Sequence, residues 1–90
     1  MDMKNTLTTN DPSITEILDY FLRRCLVNPS HPAIVVHEIV PKSQDPKNWR
    51  RFENRVALCH ECHDKIHNEG TAKWIPILTK FRKDWANRYV

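Results

Sequence analysis

The run Cys59-His60-Glu61-Cys62-His63-Asp64-Lys65-Ile66-His67 constrains this chain more than any other stretch, because four candidate metal ligands, Cys59, Cys62, His63 and His67, fall within nine residues. If Glu61 to His67 is helical, His63 and His67 are four apart and lie one above the other on one face. Cys62 is then rotated roughly 100° from His63, at ~3.6 residues per turn. Neighbours pointing that far apart do not serve one small site, so the spacing predicts two sites back to back on one helix. Cys59 and Cys62 form half of a thiolate zinc clip. His63 and His67 form half of a different, open site. His60 points away from that pair and reads as a solvated side chain.

A chain of 90 residues is one small domain, with a core that is marginal unless a staple such as a metal is added. Its three cysteines cannot all pair with one another, and two of them stand in a histidine-rich run. That favours metal binding in a reducing cytoplasm over a disulfide framework. No window approaches the ~18 apolar residues of a membrane span, and the N-terminus lacks a secretory pattern, so a soluble cytoplasmic protein with no membrane partner is expected. The formal charge of +3 permits a polyanionic partner without demanding one.

Residues 1–10 are polar and without period, and read as a flexible arm; residues 11–90 read as a single domain. Pro12 and a Ser13/Glu16 capping box start a helix from about Ser13 to Arg24, with Ile14, Ile17, Leu18, Phe21 and Leu22 as its apolar stripe. Pro29 and Pro32 forbid its continuation. Ala33 to His37 is a β-rich run, Lys42 to Arg51 a polar basic loop, and Asn54 to Leu58 a second short apolar run entering Cys59. Two strands and a helix make a ββα unit, about residues 33–70. That order brings His37 from the first strand beside His63 and His67, and three histidines with an open position is the layout of a catalytic metal site. A last amphipathic helix begins with Pro76 in its first turn and runs to about Asn87. Its stripe of Ile77, Leu78, Phe81 and Trp85 covers the N-terminal helix. From Thr71 to Val90 five positive residues oppose only Asp84, leaving +4, which suits either solvation or a duplex lying alongside.

These residues resemble the HNH endonucleases of the ββα-metal type. The resemblance rests on Val36-His37-Glu38-Ile39-Val40-Pro41, on Glu53-Asn54-Arg55-Val56-Ala57-Leu58-Cys59, and on Cys62-His63 with His67, covering about Cys25 to Gly70. It implies an α+β fold, a small ββα-metal core with flanking N-terminal and C-terminal helices. By position, His37 matches the first metal ligand, and His63 and His67 the ligands on the helix. Asn54 matches the central asparagine that ties the connecting loop and helps orient the base. Glu38 stands where most members place a catalytic histidine, and the His-Glu pair is similar to a variant among small phage-type members. A carboxylate can take a proton from water, although more weakly than imidazole. Alternatively Glu38 binds the metal itself.

Many members also carry a four-cysteine zinc site built from two C-x-x-C pairs. The first pair reads Cys25-Leu26-Val27-Asn28 here, and asparagine is a poor zinc ligand. Either His31 replaces it, closing a Cys25, His31, Cys59 and Cys62 site, or the zinc is lost and packing of the N-terminal helix takes over.

The activity implied by the resemblance is metal-dependent hydrolysis of DNA phosphodiester bonds, by nicking or double-strand cleavage. Histidine nitrogens favour Mn, Ni, Co or Zn at least as well as Mg. Lys42, Lys47, Arg50, Arg51 and Arg55 crowd the loop and second strand, and read either as a DNA-binding rim or as a solvated loop. Trp49 among them either stacks on a base or plugs the small core; with Phe52 nearby, core is expected. Small members often accompany phage packaging or restriction machinery, so such partners are expected too. A different class, a non-catalytic zinc-binding module for DNA or protein, explains the cysteines but gives no reason for His37, Asn54 or Val40-Pro41.

Overall fold

The computed structural model describes residues 12–89, so the expected arm at residues 1–10 lies outside the described residues. Helix α1, Ile14–Tyr20, begins at the predicted capping box: the Glu16 amide donates to Ser13 Oγ at 3.1 Å, and the Ser13 amide to Glu16 Oε1 at 3.0 Å. It ends earlier than expected. Leu22 and Arg23 adopt left-handed φ values of 57° and 55°, and the Arg23 amide reaches back to the Leu18 carbonyl at 2.8 Å. The stripe therefore narrows to Ile17, Leu18 and Phe21, while Ile14 and Leu22 face solvent. This turn has a structural consequence, because it delivers Cys25 into the interior, where it is 1 % exposed.

Strands β1, Val35–Glu38, and β2, Arg55–Leu58, pair antiparallel with Val35 opposite Leu58 and His37 opposite Val56. They are shorter than the sequence suggests, and Asn54 ends a single 3₁₀ turn, Phe52–Asn54, rather than opening the strand. Every residue of β2 is buried, since helices cover the two-stranded sheet. Helix α2, His60–Glu69, follows at once with Cys59 as its N-cap.

Gly70, at φ 107°, breaks the helix for one residue, and α3, Thr71–Tyr89, resumes. Pro76 is thus inside α3 and not in its first turn. The helix starts earlier because Trp74 is already part of the fold: it is 8 % exposed and its indole N–H donates to Glu69 of α2 at 3.0 Å. Trp85 meets the rings of Tyr20 and Phe21 at 4.9 and 5.0 Å, so α3 covers α1, with a stripe narrower than predicted because Phe81 is 38 % exposed. The molecule is α+β, with a ββα unit flanked by one helix on each side in sequence, all sharing one core. Among the described residues no helix is long and apolar enough to cross a membrane.

Candidate metal centres

Alternation along β1 puts His37 on the same sheet face as Val35, with Val56 and Leu58 of β2 beside it. Helix α2 packs on that face. His63 and His67, one turn apart, present their rings to His37 at 5.4 and 5.6 Å, and their Nε2 atoms are 3.1 Å from each other. One ring nitrogen from each of the three histidines lies within 4.8 Å of the others. His37 is 5 % exposed, and its Nε2 is buried with no hydrogen-bond partner. A buried imidazole nitrogen without a partner is costly unless something is bound there. Burial, with His63 and His67 adjacent, pushes the His37 pKa down to about 4, and burial likewise lowers His63. The first two donors are therefore neutral at physiological pH, as a metal requires.

The second group lies toward the other end of β2. Cys25, Cys59 and Cys62 place their sulfurs within 4.8 Å of one another. Two similar turns hold them: the Asn28 amide donates to Cys25 Sγ at 3.4 Å, and the Cys62 amide to Cys59 Sγ at 3.4 Å. Asn28 thus keeps the main-chain half of a C-x-x-C turn while lacking its second sulfur. Its side chain faces His31, with Nδ2 3.4 Å from Nδ1. The nearby Cys59 raises the histidine pKa, but His31 stands outside the group of three sulfurs. Burial opposes ionisation of Cys59, but N–H and side-chain bonds from Cys62, His31 and Cys25 outweigh it and bring the thiol down to about 7. Burial and the two neighbouring sulfurs push Cys62 up. Three crowded thiols ionise one at a time unless a cation neutralises them. Both groups offer the donor chemistry of a transition metal, soft sulfur in one and imidazole in the other. His60 joins neither; its Nδ1 is 3.4 Å from Asp64 on the exposed side of α2.

No protein-family model, no curated protein and no solved structure matches this chain. What the two centres do must therefore be argued from their geometry.

Asn54 is fixed by three side-chain bonds. Its Oδ1 accepts from the Val40 amide at 2.8 Å, and Nδ2 donates to the carbonyls of Val40 and Trp49 at 2.9 Å each. The two ends of the β1–β2 loop are thereby pinned to the start of β2. Glu38, opposite Arg55 at the end of β1, belongs to the sheet face away from His37 and is not one of the clustered ligands. The alternative in which Glu38 binds the same ion is not what the geometry shows.

The basic residues divide. Lys42, Lys47, Arg50 and Arg51 are exposed on the loop, but Arg55 is not on that rim. It is 7 % exposed, and Nη1 donates to the Pro12 carbonyl at 2.8 Å, tying the entry of α1 to β2. Alternation in a covered sheet buries it. Trp49 does not plug the core either: it is half-buried, with Lys42 Nζ and Arg50 Cζ at 5.3 and 5.4 Å from its ring. Phe52 takes the core position, edge-on to Tyr20 at 4.7 Å. Arg82, one of the five positive residues from Thr71 to Val90, does not lie on the outer face of α3. It shares a stripe with Leu78 and Trp85 at helical spacing and so faces inward; that spacing was the signal.

Proposed function

We propose that this chain is a metal-dependent endonuclease of the HNH type that hydrolyses DNA phosphodiester bonds. The observation supporting it is the convergence of His37 from β1 with His63 and His67 from α2, beside an asparagine that staples the loop between the strands. The three imidazoles would hold a divalent ion, which would supply Lewis acidity to a phosphate oxygen and charge stabilisation to the departing 3′ oxygen. Glu38 emerges on the opposite face at the end of β1. It takes the proton of the attacking water from the side away from the imidazoles. Asn54 keeps Val40, and hence the end of β1, in place under that load.

Cys25, Cys59 and Cys62 would hold a structural zinc, with His31 near Cys59 as the candidate fourth ligand. Such an ion would tie the segment after α1 to the start of α2. The same observation favours the second reading, a non-catalytic zinc-binding module. Plasmid nicking with added Mn or Ni distinguishes them. Wild type converts supercoiled plasmid to nicked or linear forms, and His63→Ala loses the activity. Glu38→Gln falls by a factor of about 10² or more. A homogeneous His63→Ala protein that cuts as well as wild type sinks the nuclease reading; an inert wild type with every metal leaves the binding module.

A further inference from the structure

A cleft of about 540 Å³ lies between the β1–β2 loop and α3 and takes no part in either metal centre. Its wall begins with Ile39 and Val40, the residues directly after Glu38, so a polymer drawn past the end of β1 meets it next. Arg51, Arg82 and Lys83 supply its positive charge, and Asp45 and Glu53 its negative charge.

Four of the five cations of α3 fall into two sets; the fifth, Arg88, lies near Asp84. Lys73 and Lys80 are paired on the solvent side, with Glu69 at 3.3 Å and Asp84 at 2.8 Å. Arg82 and Lys83 form no ion pair with a carboxylate among the described residues. Arg82 is held rigidly instead, its guanidinium 4.5 Å from the Phe52 ring centre and Nη2 donating to the Phe52 carbonyl at 3.0 Å. Burial lowers its pKa. A desolvated, fixed guanidinium loses little further freedom on meeting an anion. The two carboxylates do not fill the cleft with opposing charge. Asp45 is turned into its own loop, where it accepts from the Asn48 side chain at 3.2 Å. Glu53 lies near Arg82 and Asp84 near Lys83, in neither case as a direct ion pair, and Arg51 forms no ion pair among the described residues.

We propose that this cleft seats a backbone phosphate of the nucleic acid on Arg51, Arg82 and Lys83, away from the scissile bond. The proposal rests on the nuclease reading and names the substrate contact that the buried Arg55 cannot make. The cleft fixes how the strand leaves the catalytic centre, so its cations affect affinity for the polymer and not the chemistry at the imidazole site.

Binding to a short DNA duplex, followed by fluorescence anisotropy over a range of salt concentrations without added divalent metal, tests it. Each phosphate contact contributes about 0.9 to the slope of log K against log salt. The double variant Arg51→Gln/Lys83→Gln should flatten the slope by up to about that amount, and each single variant by part of it. Lys73→Gln and Lys80→Gln, whose charges are locally paired, should leave it unchanged. Arg82→Gln is read beside its thermal melt, since it also loses the Phe52 contact. A double Arg51→Gln/Lys83→Gln variant that binds duplex with the wild-type slope overturns the proposal while leaving the nuclease reading intact. Wild type that binds no duplex at all overturns both. Inorganic pyrophosphate provides the second arm: if it binds in an Arg51- and Lys83-dependent way while the duplex slope is unmoved, the cleft takes a free phosphate and not the backbone.

Discussion

Asn54 illustrates how one side chain can hold a site without touching its reacting atoms. Its three bonds join the end of β1 and the end of the loop to β2. Asn54→Ala leaves two carbonyls and an amide without their partner and should destabilise the fold by about 2–4 kcal/mol, measured by chemical denaturation. Asn54→Asp keeps the acceptor and loses both donors, so it should fall between alanine and wild type. His37 gives a pH prediction. Its folded pKa, about 4, lies below its unfolded value of 6.5, so between these the unfolded chain binds more protons. Stability of the metal-free protein is then fully present above 6.5 and is lost as pH falls toward 4, at up to about 1.4 kcal/mol per unit from this group. Denaturation midpoints between pH 7 and 4.5 check it; a His37→Phe variant should lose that part of the slope.

Helices α2 and α3 are separated by a single residue, and Gly70 decides the angle between them. No atom lies within 4 Å of a Cβ at Gly70, yet its φ of 107° is one that L side chains rarely adopt. Gly70→Ala should therefore cost about 1 kcal/mol or more through backbone strain alone. Pro76 presents the opposite case. It is exposed inside α3, and its missing N–H leaves the Ala72 carbonyl without a helical donor. Pro76→Ala should raise the melting temperature, corresponding to about 1 kcal/mol or more. The early start of α3 was not legible in the sequence because Pro normally marks a first turn. What overrides that preference is the burial of Trp74 and its bond to Glu69, both of which depend on where α2 points.

At the scale of the whole molecule, the two centres divide the work of α2 between them. The sulfur group joins two segments that are far apart in sequence, around Cys25 and around Cys59–Cys62, and a ninety-residue core has little else to hold them. Native mass spectrometry should find two ions per chain. Cys62→Ser should remove one and lower stability by more than about 2 kcal/mol, whereas His67→Ala should remove the other with a smaller effect on the melt. A single ion lost in both variants would mean that the groups share one site.

The order of strands and helix, the two-sided use of the Cys59–His67 run and the arrival of His37 were all legible in the sequence, because spacing on a helix and alternation on a strand are local properties. Which basic residues reach solvent was not. Arg55 looks like Arg51 in the sequence, and only the packing of α1 against the sheet decides that it is buried; the spacing of Arg82 marks it as inward-facing, but its clamp on Phe52 depends on how α3 packs against the 3₁₀ turn. Asn28 likewise occupies a sulfur's place in the sequence, and only the fold shows His31 near Cys59 yet outside the group of three sulfurs. Ligand spacing is written along the chain, but charge exposure is a property of what packs against what.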